Sequence, residues 1–269
     1  MLDAILKPRA IAVVGASRSP TTIGYQILDN LLRSGFQGPL FPVNPKATVI
    51  HSLRAYPSVT AIPDPVDLAV IVVPKQHVLA AAEECGQAGV KGLVVISAGF
   101  AEVGGEGVER ERRLLETVRR YGMRMVGPNC MGVLNSAPTV GMNATFGPTV
   151  PPFGPVAIIS QSGAIGQSIL DLAGELGIGV SQFVSVGNKP DVSGNDLLQY
   201  WDQDPDVRVI LMYLESFGNP RKFYRIARGL TRRKPIFVVK AGRTAAGARA
   251  ASSHTAALSG ADLAADVLL

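Results

Sequence analysis

The sequence predicts an α/β protein built from two successive units, each with a mostly parallel sheet. Short apolar runs alternate with amphipathic stretches along the whole chain, the pattern of repeated βαβ units. That rhythm breaks once, between residues 136 and 155, where Pro138, Pro148, Pro151, Pro152 and Pro155 stand among Gly, Thr and Asn. A chain of 269 residues also exceeds the ~100–200 residues of one domain. The expected organisation is a first domain over 1–135, a linker over 136–155 and a second domain over 156–269.

Taken in order, residues 10–14 read as a strand and 23–34 as the helix that follows. Residues 40–43 make a second strand, and 68–73 a buried strand with its helix at 76–88. A strand at 92–96, a long helix at 107–121 and a short strand at 124–126 complete the first unit. After the linker, strands are expected at 156–159, 180–186, 207–214 and 235–240, with helices at 164–176, 196–202 and 221–229 between them. Ser259 is a candidate N-cap, with Asp262 closing a capping box, for a last helix over 259–269. No stop signal ends that helix, so the chain is expected to be a piece of a longer polypeptide.

Composition removes several classes. No apolar run approaches the ~18 residues of a membrane span, and the N-terminus lacks the basic and apolar regions of a secretory signal. Cys85 and Cys130 stand in no CxxC or CxxH spacing. That argues against a disulfide framework or a metal site and fits a reducing cytoplasm. The basic clusters, such as Arg110-Glu111-Arg112-Arg113 and Arg119-Arg120, read as solvated helix faces. They carry no aromatic interleaving, so nucleic acid is not expected as a partner. A net charge of +5 suits a polyanionic small ligand such as a nucleotide or coenzyme A.

Two places carry candidate chemistry. The first strand runs into Gly15, Ala16 and Ser17, with Gly24 at the head of the next helix. Glycine there lets the backbone approach a phosphate, which the helix N-terminus attracts, although glycine in this position also serves packing. An NAD site places an acid about 20 residues further on, to grip the ribose. Here the second strand ends Val43-Asn44-Pro45-Lys46 instead. Asn44 can bond an adenosine ribose and Lys46 a phosphate, which disfavours NAD and allows NADP or coenzyme A. Val73 and Pro74 end a third strand at the crevice where an open α/β sheet receives ligand. For Lys46 and Lys75, plain surface charge is the competing reading.

In the second unit, strand 156–159 leads through Ser160-Gln161-Ser162-Gly163-Ala164 into a helix. Ser162, Gly163 and Ala164 can form an anion nest there, or Ser162 a simple N-cap. His254 lies on a small-residue loop between Arg249 and the expected last helix. Imidazole is a nucleophile near neutral pH and a phosphoryl group on it suits helix N-termini; a surface histidine is the alternative. Glu215 ends strand 207–214 on the same sheet edge. It can orient His254 through one ring nitrogen, or pair with Arg221 or Lys222 as a rim carboxylate.

Several of these motifs, taken in order, resemble the NDP-forming acyl-CoA synthetases, relatives of succinyl-CoA synthetase, and above all the α part of ADP-forming acetate–CoA ligases. The likeness rests on Ala12-Val13-Val14-Gly15-Ala16-Ser17, Asn44-Pro45-Lys46, Gly127-Pro128-Asn129-Cys130-Met131-Gly132, Ser160-Gln161-Ser162-Gly163, Gly187-Asn188-Lys189 and Ser252-Ser253-His254-Thr255. The resemblance implies a Rossmann-like coenzyme A-binding domain followed by a flavodoxin-like domain. It implies His254 as the phosphorylated histidine, Glu215 as its supporting acid, and Ser162 and Gly163 at a helix N-terminus that cradles the phosphate. The implied reaction converts acyl-CoA and phosphate to an acyl phosphate, then phosphohistidine and free acid, and finally passes the phosphate to ADP, reversibly. Nothing in the chain resembles the ATP-grasp domain that uses ADP or ATP with Mg, so that part is expected as a partner domain or β subunit, in an oligomer. The competing readings are a CoA-sensing regulatory region of a protein acetyltransferase fusion and an NADP-dependent oxidoreductase.

Overall fold

A computed structural model describes residues 2–242 of the chain. The expected helix over 259–269, its Ser259–Asp262 capping box and the loop bearing His254 lie outside the described residues.

The first sheet is five-stranded, parallel throughout, in the order β2-β1-β5-β6-β7. Its strands are β1 (Ile11–Val14), β2 (Leu40–Val43), β5 (Leu68–Ile71), β6 (Gly92–Val95) and β7 (Arg124–Val126). Every residue of β1, β5 and β6 is buried. Burial on both faces is the reason these strands read as unbroken apolar runs rather than alternating ones. Helices α2 (Ile23–Arg33), α3 (Lys75–Gln87) and α4 (Glu106–Arg120) make the crossovers. The Rossmann-like arrangement reverses direction between β1 and β5, which opens a crevice at their C-terminal ends. A short helix α1 (Asp3–Leu6) and a small hairpin of β3 (Val49–Ile50) and β4 (Leu53–Arg54) complete this half.

The second sheet has the order β13-β12-β10-β11-β8-β9. Four strands are parallel: β10 (Val156–Ser160), β11 (Val180–Ser185), β12 (Val209–Leu214) and β13 (Ile236–Lys240). Helices α5 (Gly163–Glu175), α6 (Gly194–Asp202) and α7 (Pro220–Leu230) connect them. Here the strand order reverses between β10 and β12.

The segment 136–155 departs from the expected linker. Strands β8 (Gly132–Asn135) and β9 (Met142–Thr145) form an antiparallel hairpin that adds to the edge of β11, so the second sheet already begins at Gly132. The polar letters Asn143 and Thr145 hid a strand because their side chains are buried and bonded to the protein itself. Thr145 Oγ1 donates to Asn143 Oδ1 at 2.7 Å, and Asn143 Nδ2 to the Gly147 carbonyl at 3.1 Å. Buried polar groups satisfied in this way leave no apolar pattern to read.

The same hairpin docks the two halves. Asn30 of α2 donates to the carbonyls of Thr145 and Gly147, both at 2.9 Å. Asn135 donates to the Leu6 carbonyl at 2.7 Å. One cluster of buried side chains runs from Ile27 and Leu31 through Met142 and Ala144 to Ile159 and Val184. A continuous core across both sheets holds their C-terminal edges in a set relation, and the site forms between them.

Candidate functional site

A cleft of about 780 Å³ opens between the two sheets. The first half contributes Val73, Pro74 and Lys75 at the end of β5, and the second contributes Ser162, Gly163 and Ala164 at the start of α5. The strand-end residues Val73 and Pro74 of the first expected site and the Ser162–Ala164 turn of the second therefore line one cavity.

Gly15 packs behind the first wall, against Val72 and Val73. Its φ of +97° lies where L side chains are rarely found, and a Cβ there would meet Val72 at 3.0 Å and Val73 at 3.1 Å. Gly24, at the start of α2, packs against the Gly15 carbonyl so closely that any side chain would collide with that oxygen. The turn thus runs tight over the N-terminus of α2, capped by Thr22, whose hydroxyl accepts from Tyr25 N. Such a bare cradle at a helix N-terminus fits the diphosphate of a nucleotide-type ligand. Asn44 braces it: Nδ2 donates to the Ala16 carbonyl at 2.7 Å, and Oδ1 accepts from Lys46 N at 2.8 Å. Lys46 is exposed. Gly15, Ala16, Ser17, Asn44 and Lys46 gather around the ends of β1 and β2, outside the residues that line the cleft.

At the crevice of the second sheet, Ser162 caps α5, its hydroxyl accepting from Ile165 N at 3.4 Å. Ser160 Oγ donates to the Ser162 carbonyl at 2.6 Å and fixes the turn. The first-turn N–H groups and the positive end of the helix dipole face the cleft, which suits an anion. Glu215 follows β12, and its backbone N–H donates to Gln161 Oε1 at 3.0 Å. Lys222, one candidate partner for Glu215, instead pairs with Asp196 at 3.3 Å.

Three features escaped the reading of the residues. Asn188 Nδ2 donates to both Glu102 and Glu111 at 2.6 Å, joining the second half to the first across the cleft. Burial opposes the charge on Glu102. The bond from Asn188 and those from the Gly99 and Phe100 N–H groups outweigh it and lower its pKa. Lys189 Nζ donates to Gln161 Oε1 at 2.8 Å. Burial pushes its pKa down to about 8, with Glu215 opposing the shift and Lys240 adding to it. Cys130 lines the cleft, but burial raises its pKa to about 12, which keeps the thiol protonated and inert as a nucleophile. Only the motif strings containing Asn188, Lys189 and Gln161 hinted at these residues, because their partners lie far away in sequence. Among the described residues no group of three or more His, Cys, Asp or Glu is placed to hold a metal ion. No helix among them is long and apolar enough to cross a membrane.

Comparison with known proteins matches this geometry. A family profile described as a CoA binding domain matches residues 9–136, and one described as a succinyl-CoA ligase like flavodoxin domain matches residues 153–269. The chain is 47% identical over 265 residues to the α subunit of an ADP-forming acetate–CoA ligase I of Pyrococcus furiosus, covering 97% of this chain and 57% of that one. It is 45% identical to an ADP-forming acetate–CoA ligase of Methanocaldococcus jannaschii, over 97% of this chain and 36% of that one. Among solved structures, the dinucleotide forming acetyl-coenzyme A synthetase 1 of Ca. Korarchaeum cryptofilum, in complex with phosphate and ADP, superposes with a TM-score of 0.94. That match is 47% identical and covers 100% of this chain and 57% of the other. The chain thus spans 36% to 57% of the length of these relatives. With both profiles matched in order on the two sheets that enclose the cleft, the chain belongs to the NDP-forming acyl-CoA synthetases, of which it spans the CoA-binding and flavodoxin-like domains.

Proposed function

We propose that this chain is the CoA-binding and phosphohistidine-bearing part of an ADP-forming acyl-CoA synthetase. The reaction converts acyl-CoA, phosphate and ADP into a small organic acid, CoA and ATP, reversibly. The observation that carries the proposal is the shared cleft: the strand-end residues Val73 and Pro74 and the anion nest of Ser162, Gly163 and Ala164 line the same cavity.

Gly15, Ala16 and Ser17 cradle the diphosphate of CoA, Asn44 and Lys46 meet its ribose and 3′-phosphate, and Val73 and Pro74 guide its arm into the cleft. Acyl-CoA bound there would present its thioester carbonyl to phosphate, whose attack breaks the C–S bond, forms the acyl phosphate and releases CoA as the thiol. The N–H groups of Ser162, Gly163 and Ala164 hold the phosphate oxygens as charge concentrates on them. His254 then takes the phosphoryl group from the acyl phosphate through one ring nitrogen, while Glu215 accepts a hydrogen bond from the other and fixes the tautomer. Transfer onward to ADP with Mg requires an ATP-grasp domain or β subunit. The complete enzyme is an oligomer of the cytoplasm.

The test is to incubate the protein, assembled with its ATP-grasp part, with acyl-CoA and labelled phosphate. Acid-labile, base-stable label on the protein supports the reading. CoA binding without any label, from phosphate or from ATP, would instead favour a CoA-sensing role.

A further inference from the structure

Gln161 Oε1 accepts three hydrogen bonds, from Lys189 Nζ at 2.8 Å, Glu215 N at 3.0 Å and Ser216 N at 3.2 Å. All three partners are obligate donors, so the amide has one orientation only, with oxygen inward and nitrogen opposite. Gln161 lines the cleft beside Ser162 and Gly163. Its Nε2 makes no hydrogen bond among the described residues, which leaves two N–H donors uncommitted on a side chain that lines the cleft.

Lys189 is an unusual occupant of its position. Its φ of +54° is left-handed, a conformation that costs an ordinary residue about 1–2 kcal/mol and that glycine or asparagine adopts more readily. A lysine in that conformation points to a requirement for its side chain. The ammonium is held at a second point by the Ser216 carbonyl. The charged groups that face it are Glu215 at the end of β12 and Lys240 at the end of β13. The clamp therefore spans the crevice between β10 and β12, the place where an open α/β sheet receives its ligand.

We propose that Gln161 donates directly to the phosphate handled in the cleft, and that Lys189 is the positioning residue that aims it. The inference rests on the phosphate chemistry proposed above. It adds a side-chain donor to the backbone nest of α5 and gives Lys189 a role exerted through Gln161.

The assembled ligase, assayed in the acyl-CoA to acid direction with inorganic phosphate varied, tests both residues. Gln161→Glu keeps an oxygen for the three inner donors but replaces the outward N–H groups by an acceptor. The phosphate KM is expected to rise about tenfold or more, with CoA affinity by calorimetry unchanged. Lys189→Met is expected to raise the phosphate KM in the Gln161 protein and to add little in the Gln161→Glu background, since the aim it sets is already lost. A Gln161→Glu enzyme with wild-type phosphate KM overturns the proposal. Equal effects of Lys189→Met in both backgrounds overturn the positioning role. If the unmodified ligase shows no phosphate-dependent turnover, the functional reading itself fails, a result distinct from either.

Discussion

Arg124 Nε lies 3.0 Å from Asp191 Oδ2 and ties the last strand of the first sheet to the loop that leads into α6 of the second. The same carboxylate accepts from Met125 N at 2.7 Å, and Val192 N donates to the Met125 carbonyl at 3.1 Å. One aspartate thus satisfies a side chain and a backbone group across the domain boundary. Asp191→Ala is expected to destabilise the chain by about 1–3 kcal/mol, since it leaves a half-buried guanidinium and an N–H without this acceptor. Urea denaturation measures this, and a midpoint equal to that of the unmodified protein would contradict it.

Lys189 makes stability depend on pH in a definite sense. Its folded pKa of about 8 lies below its ordinary value of 10.5. Between those two pH values the unfolded chain binds more protons at this site than the folded one, so its contribution raises stability as pH climbs from 8 to 10.5. Below 8 both states carry the charge, and the unfavourable burial is present in full. Lys189→Met removes that rise. The gap between the thermal-melt curves of the two proteins should be constant below pH 8 and change between about 8 and 10.5; a gap independent of pH throughout would contradict the assignment.

Gly15→Ala is expected to abolish CoA binding before it unfolds the protein. A Cβ at φ +97° is strained and presses on Val72 and Val73, so the turn must move away from the position proposed for the diphosphate. Calorimetry with CoA, paired with a circular-dichroism melt, separates the two effects.

Lys46 is exposed beside a braced turn, where a charge-assisted contact to the 3′-phosphate is worth about 1.5–3 kcal/mol. Lys46→Glu should weaken CoA strongly and leave dephospho-CoA nearly untouched. Equal affinity of the unmodified protein for the two ligands would return Lys46 to a plain surface charge.

Much of the fold was readable because parallel strands buried on both faces are continuous apolar runs, as at β1, β5 and β6, and their helices follow at regular spacing. The hairpin of β8 and β9 was not, since Asn143 and Thr145 satisfy their buried polar atoms through the local backbone and so look like a loop. At the site, glycine turns and helix caps are local features and could be located. The Gln161–Lys189 clamp and the Asn188–Glu102–Glu111 bridge depend on residues 28, 86 and 77 positions apart, and only folding reveals such contacts.

Passage of phosphate through His254 is tested by the site of protein labelling. The assembled ligase, given acyl-CoA and radiolabelled phosphate, should acquire acid-labile, base-stable label that maps to the peptide containing His254. His254→Ala should remove that label while leaving CoA binding intact, and Glu215→Gln should slow its appearance. Label that persists in the His254→Ala enzyme would rule out His254 as the phosphoryl carrier.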